Sequence, residues 1–297
     1  MRKILLTGRN GQVGWELQRT LATLGDVVAV GRHEMDLTDP DSIRKIIREV
    51  GPGLIVNAAA YTAVDKAESE PDVAMAVNGI APGVMAEEAK RLNAMMVHYS
   101  TDYVFDGAKD SPYREEDAPN PLNVYGRTKW AGERAIQAVD APYLILRTGW
   151  VYGARGRNFL LTILKLAKER SELKVVKDQI GAPTWSRMVA EVTAQILAKT
   201  GSAGNPATSA LMGGTYHVAA GGKTSWHGFA EHILKHQSIR TPPRLVAIAT
   251  REYPLPATRP RYSCLSCEKL TRTFGLAMPT WEKSLALCLD EMRQISL

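Results

Sequence analysis

A phenol and an ammonium stand one helical turn apart at Tyr125 and Lys129, within NVYGRTKWAGERAIQAV over residues 123–139. Side chains four apart share one face of a helix, so the two groups are neighbours. Such a pair can move a proton. A free phenol, with a pKa of about 10, exchanges protons poorly at neutral pH, and an adjacent cation favours its ionised form. The same spacing also suits a solvated helix end, so the rest of the chain must decide.

A second group of residues can hold a diphosphate. TGRNGQVG carries glycines at 8, 11 and 14, a GxxGxxG spacing one residue wider than GxGxxG. Gly8 permits a tight turn, Gly11 lets backbone N–H groups approach a pyrophosphate, and Gly14 lets helix pack closely on strand. Gln12 and Val13 open that helix, whose N-terminus faces the phosphates. NAD-selective sites end the second strand on an acid for the ribose 2′-hydroxyl. Here the strand runs into VAVGRHEMD, with Arg32 at that point and no acid before Glu34. A guanidinium suits a 2′-phosphate, the alternative being a solvated arginine; Asp36 and Leu37 follow, where they would flank the adenine. The cofactor read from these residues is NADPH, with NADH as the second candidate.

Both groups need a scaffold. KILLT (3–7), VVAV (27–30), LIVNAA (54–59), MMVHYST (95–101) and YLILRT (143–148) are apolar runs without alternation, the pattern of strands buried on both faces of a parallel sheet. Val13, Leu17, Leu21 and Leu24 predict a helix over 11–25, and Asp39 followed by Pro40 opens another over 39–50. A further helix is expected around 72–92. This is the rhythm of an α/β, doubly wound, Rossmann-like domain over 1–152, also receiving part of 185–220. Beyond it the pattern loosens into helices near 157–170 and 186–199, an exposed loop at TGSAGNPATSALMGG (200–214), a strand at TYHVAA and an amphipathic tail, WEKSLALCLDEMRQI. Residues 153–297 are expected to form mainly a smaller C-terminal, substrate-binding lobe.

The composition excludes several classes. A formal charge of +6 without a basic run of five points to small anionic ligands rather than nucleic acid. No apolar stretch reaches the roughly 20 residues that span a bilayer, and the N-terminus lacks a signal-peptide pattern. A cytoplasmic protein without a membrane partner is expected. Three cysteines, Cys264, Cys267 and Cys288, suit a reducing compartment. CLSC at 264–267 lacks the second pair of a zinc site, and His232 and His236 lack an HExxH pattern, so neither reads as a metal site.

Further blocks carry a resemblance. VNAAAYTAVDKAESEP (56–71), HYSTDYVFDG (98–107), PLNVYGRTKWAGE (121–133), LRTGWVYG (146–153), GAPT (181–184) and PATRPRYSCLSCEKL (256–270) follow the glycine loop in order. YxxxK after GxxGxxG is similar to the extended short-chain dehydrogenase/reductases, and the blocks together resemble the dTDP-4-dehydrorhamnose reductase family over essentially the whole chain. The resemblance implies reduction of the C4 ketone of dTDP-4-dehydro-6-deoxy-L-mannose to dTDP-L-rhamnose with NADPH. It makes Tyr125 the general acid, Lys129 the group that lowers its pKa and bonds the nicotinamide ribose, and Thr101 a donor to the substrate carbonyl. Ala58, Ala59, Ala60, Tyr61 and Thr62 would line the ribose and nicotinamide. Tyr103 and Trp150 would pack the sugar ring, Asp102 would hold its loop or touch the sugar, and Arg259 would meet the diphosphate or lie exposed.

Other functions fit the same resemblance: another nucleotide-sugar reductase or epimerase, or a non-catalytic NADP-binding regulatory subunit of a methionine adenosyltransferase. Retention of Thr101, Tyr125 and Lys129 together favours catalysis. Some members of the family are described as magnesium-bridged dimers, with acidic ligands from the first helix, from just after GAPT and from the C-terminal helix. Glu16 and Asp290 or Glu291 suit the first and last, but Arg187 stands at the middle position. A cation there opposes Mg²⁺, so no metal is expected, and monomer and homodimer both stay open.

Overall fold

Apolar runs that lack a polar face become the centre of a parallel sheet. The computed structural model describes residues 2–200, 213–236 and 242–295. Its main sheet holds β1 (Lys3–Thr7), β2 (Asp26–Val30), β3 (Leu54–Asn57), β4 (Met95–Thr101), β5 (Tyr143–Thr148) and a later strand, β10 (Gly214–His217), in the order β10-β5-β4-β3-β1-β2. All five pairings are parallel. Every residue of β4 is buried, as expected of a central strand covered on both faces.

Helices cover the two faces. On one lie α1 (Gln12–Thr20) and α8 (Ser186–Lys199), which pack Leu17, Val189 and Ile196 on Leu6, Val56 and Val97. On the other lie α2 (Pro40–Val50), α5 (Ala81–Arg91) and α6 (Val124–Gln137), which bring Ile43, Ile47, Met85 and Ile136 onto Leu5, Ile55 and Ile145. Asp39 caps α2 by accepting from Asp41 N, and Asn123 caps α6 by accepting from Gly126 N.

The expected elements differ from the observed ones in identifiable ways. α1 ends at Thr20, though Leu21 stays buried on the same core. β3 stops at Asn57, whose side chain takes up the Ala59 N–H and draws the chain out of the sheet. The 72–92 helix is three pieces: α4 (Pro71–Met75), a π turn (Ala76–Ile80), and α5. Pro82, which cannot donate a backbone N–H, follows the π turn, and there α6 approaches so closely that a Cβ on Gly132 would sit 2.1 Å from Asn78 O.

The remaining strands are short: β6 (Val151–Tyr152) with β9 (Thr184–Trp185), β7 (Glu172–Val176) with β12 (Arg244–Ile248), and β8 (Ile180–Gly181) with β11 (Thr224–Ser225). With α7 (Phe159–Glu169), α9 (Trp226–Lys235) and α11 (Trp281–Ile295) they enclose a second core of Leu160, Leu173, Phe229, Trp281 and Leu285. Most of the stretch expected as a loop, 201–212, lies outside the described residues. Among the described residues no helix is long and apolar enough to cross a membrane.

Candidate active site

The glycine loop forms a cradle that side chains would fill. Gly8 has φ of 74°, and a Cβ there would lie 2.7 Å from Ala59 N; on Gly14 it would lie 2.1 Å from Gly8 O. Gly11 is the N-cap of α1 and offers no side chain to cover its first amides. A negative diphosphate fits such a helix end, so these residues suit a dinucleotide. Val13 packs against the core, whereas Gln12 is turned to the C-terminal lobe, donating to Val151 O at 3.3 Å and accepting from Asn158 at 2.9 Å.

At the end of β2, Arg32 is exposed. A second guanidinium that the sequence reading passed over, Arg9, pairs with Glu34 at 2.7 Å and donates to Ala29 O at 3.3 Å. Glu34 also accepts from Gly31 N at 2.9 Å. Asp36 accepts from the amide and hydroxyl of Thr38, and Leu37 is buried. Across the loop, Ala58, Ala59 and Ala60 are half-buried, Tyr61 donates from its hydroxyl to Glu70 at 2.6 Å, and Thr62 is exposed.

Thr101 ends β4, at the carboxyl edge where parallel sheets place ligands. Its hydroxyl donates to Asp102 Oδ1 at 3.0 Å, accepts from Tyr103 N at 3.1 Å, and is in hydrogen-bond contact with the Tyr125 phenol. The Tyr103 ring meets that of Tyr125 edge-on, 5.9 Å between centroids. Burial raises the Tyr125 pKa to about 12, the Thr101 contact offsets part of that, and the Asp102 charge adds to it. Asp102 is itself raised to about 6 by burial, offset in part by hydrogen bonds from Ser263 and Thr101.

Lys129 is 1% exposed, on the same helix face as Tyr125 and Glu133. Its Nζ does not meet the phenol here. It donates to Tyr99 O at 2.6 Å and lies 3.0 Å from His98 Nε2. Burial lowers its pKa to about 8, against the opposing influence of Glu133. The lowering of the phenol's pKa expected of Lys129 is therefore not found in this structure, where the lysine faces the sheet. Glu133 in turn forms a buried two-pronged pair with Arg147, at 2.6 and 2.9 Å.

Trp150 has a left-handed backbone, φ 52°, between β5 and β6. Its ring stacks on Trp226 at 3.5 Å and 3°, lies over Gly181, and donates from Nε1 to Ser263 at 3.2 Å. Arg259 is not an exposed arginine. It holds the Asp65 carboxylate from both terminal nitrogens, at 3.0 and 2.7 Å, and reaches Tyr103. Beyond Ile180 opens a pocket of about 550 Å³, lined by Lys109, Lys223 and Arg261 along with Asp110, Asp178 and Tyr262.

Sequence reasoning missed His98, Asn57, Glu133, Asp65 and Trp226. Two of these left a signal: Glu133 continues the Tyr125–Lys129 stripe one turn on, and His98 is a titratable group inside an apolar strand. The residues around Arg187 do not suit magnesium. Its guanidinium lies between Glu16 at 3.4 Å and Glu291 at 2.8 Å, with Glu191 one turn further along α8. Among the described residues no three acidic, histidine or cysteine side chains are placed to hold a metal.

The chain matches the family model described as RmlD substrate binding domain over residues 1–294. It is 49% identical to a dTDP-4-dehydrorhamnose reductase of Burkholderia thailandensis, over 98% of this chain and 99% of that one. It is 44% identical to the enzyme of the same name from Escherichia coli K12, over 97% of each. Its structure superposes on the dTDP-4-dehydrorhamnose reductase of Bacillus anthracis in complex with NADP with a TM-score of 0.90, at 35% identity over 98% of this chain and 99% of that one. The UDP-glucose 4-epimerase of Thermus thermophilus, at 18% identity and a TM-score of 0.80 over 98% of this chain and 99% of that one, shares the fold.

Proposed function

We propose the reaction from one premise: this chain belongs to the dTDP-4-dehydrorhamnose reductase family. It reduces the C4 ketone of dTDP-4-dehydro-6-deoxy-L-mannose, giving dTDP-L-rhamnose. The observation that carries the assignment of roles is the contact of the Tyr125 phenol with Thr101 at the carboxyl end of β4. Bound NADPH supplies the hydride. Thr101 and Tyr125 donate hydrogen bonds to the substrate carbonyl oxygen, and Tyr125 gives up its proton as that oxygen becomes an alkoxide. A phenol held at about 12 is protonated at neutral pH and can still give its proton to the more basic alkoxide. Lys129, in its charged form, offsets the phenolate left behind.

Gly8, Gly11 and Gly14 would hold the cofactor's diphosphate, and Ala58 to Thr62 would line its ribose and nicotinamide. Arg32 and Arg9 supply the charge that a 2′-phosphate requires, while Glu34 offers a carboxylate to a free 2′-hydroxyl, so NADH is accepted more weakly. Residues 1–152, with part of 185–220, carry the cofactor, and the lobe of 153–297 carries the sugar. Tyr103 and Trp150 face the sugar, Asp102 holds the Thr101 turn, and Arg259, anchored by Asp65, meets the diphosphate together with the basic pocket. The protein works in the cytoplasm, as a monomer or homodimer. A regulatory-subunit role is not supported by these relatives.

The test is NADPH absorbance with enzymatically generated dTDP-4-dehydro-6-deoxy-L-mannose. Multiple-turnover oxidation supports the assignment, and a lower kcat/KM with NADH than with NADPH, a gap that narrows towards parity in Arg32→Ala, supports the part given to Arg32. NADPH bound but never oxidised refutes the reductase.

A further inference from the structure

A line of buried polar side chains crosses the sheet beneath the candidate active site. Thr7 on β1, Asn57 on β3 and His98 on β4 are register neighbours, and Lys129 closes the line from α6. Their exposures are 2%, 0%, 1% and 1%, so no water is at hand to satisfy an unpaired group. Thr7 Oγ1 lies 2.7 Å from Asn57 Oδ1, Asn57 Nδ2 lies 3.0 Å from His98 Nδ1, and His98 Nε2 lies 3.0 Å from Lys129 Nζ.

One member of this line is set by its neighbours. The Ala59 backbone N–H is a fixed donor, 3.2 Å from Asn57 Oδ1 and 3.4 Å from Thr7 Oγ1, and with the Thr7 hydroxyl donating to the same Oδ1 at 2.7 Å it favours the amide oxygen facing it. Asn57 Nδ2 must then donate towards His98, whose Nδ1 must be bare. A neutral imidazole carries one N–H, so the proton is on Nε2 and points at Lys129 Nζ. Nitrogen with a lone pair accepts that bond; an ammonium does not. For Lys129 to be charged and donate to His98, the His98 proton must move to Nδ1 and the Asn57 amide must turn over, setting its NH₂ against the Ala59 N–H.

We propose that His98 is a positioning residue for the reaction: always neutral, and protonated on Nε2 when Lys129 is uncharged, it holds Lys129 in place and ties the lysine's protonation to the orientation of Asn57 and the Ala59 amide. Burial and the neighbouring Lys129 both oppose charge on the ring. The other groups that bear on Lys129 are Glu133 on its own helix, itself engaged by Arg147 of β5, and the Tyr99 carbonyl on β4. Ala59 stands directly against Gly8 of the glycine loop. The line therefore connects the loop that cradles a dinucleotide with the lysine beside the general acid.

Two experiments test this, and only the second rests on the reductase reading. Long-range ¹H–¹⁵N correlation on the wild-type protein, with the His98 signals identified by their loss in His98→Asn, reads the ring directly. At about pH 9, above the Lys129 pKa of about 8, the expected result is a neutral ring with Nε2 protonated and Nδ1 bare; a proton on Nδ1, or a charged ring, at that pH overturns the proposal. In the second, removing the Nε2–H donor deprives the uncharged amine of one hydrogen bond, so the basic limb of the kcat/KM profile moves up by about one pH unit in His98→Asn. His98→Gln, whose amide oxygen can turn to accept from the ammonium, moves the same way. Limbs that stay at the wild-type position, whatever happens to rate or melting temperature, overturn it. A wild-type protein that fails to oxidise NADPH counts against the reductase alone, because the tautomer is read without turnover.

Discussion

Asp102→Asn separates what stability asks of this site from what binding asks. The Asp102 carboxyl is 2% exposed, packed where a Cβ on Gly149 would lie 2.5–2.7 Å from it, and burial lifts its pKa from 3.8 to about 6. Between those values the folded protein holds a proton that the unfolded chain has released, so stability falls as pH rises through that window and stays lower above it. A shift of about 2 units corresponds to about 3 kcal/mol at neutral pH. The isosteric amide keeps the acceptor for Thr101 and never ionises. Urea denaturation of both proteins at about pH 4 and about pH 7.5 isolates this contribution as the change in their difference, with other carboxylates cancelling. The variant is expected to gain about 2.4 kcal/mol relative to wild type between the two conditions, the remainder being already lost at pH 4. A difference that is the same at both pH values refutes the reasoning, because a carboxyl that is not desolvated contributes no such slope. The same substitution removes a charge that raises the Tyr125 pKa, so the phenol becomes a stronger acid.

Other substitutions reach different parts of the site. Tyr125→Phe leaves folding and NADPH binding, followed by nicotinamide fluorescence, unchanged and lowers turnover by about 10²–10⁴-fold; a smaller loss argues against Tyr125 as the acid. Glu133→Gln strands the buried Arg147 charge, whose side chain is 5% exposed, and costs about 3–5 kcal/mol in denaturant unfolding. Asp65→Asn frees the Arg259 fork and raises KM for the nucleotide sugar about tenfold with kcat held; a fall in kcat instead places Arg259 nearer the chemistry. Removing divalent cations with EDTA leaves the melting temperature unchanged, since Arg187 already neutralises Glu16 and Glu291; a lower melting temperature after chelation refutes that account.

What the sequence revealed was local. MMVHYST and YLILRT became β4 and β5 with the boundaries read from their apolar runs, and Asp39 capped the helix it precedes. Those features depend on neighbours a few residues away. The site's finer wiring depends on residues far apart in the chain. Lys129 is 31 residues from His98, and Arg259 is 194 from Asp65, so periodicity carries no trace of either contact. Trp150 shows the same limit: nothing in LRTGWVYG announces a left-handed backbone, which a bulky residue tolerates only where tertiary packing, here Trp226 and Ser263, holds it. Asn57 reads as the polar end of an apolar strand, yet it orients His98 from one side and the Ala59 amide from the other.

The place of β10 in the sheet bears on how the chain is made. A ribosome delivers β1 to β5 by residue 148, but the outer edge of β5 finds its partner only when residues 214–217 have emerged. Until then a strand that begins with a run of apolar residues carries unpaired N–H and C=O groups along its open side, an arrangement prone to pair with another nascent chain. Glu115 waits over the same interval for the His217 amide, which it accepts at 2.8 Å. The half of the protein that would cradle the cofactor is thus finished late in synthesis, by a strand from the other half.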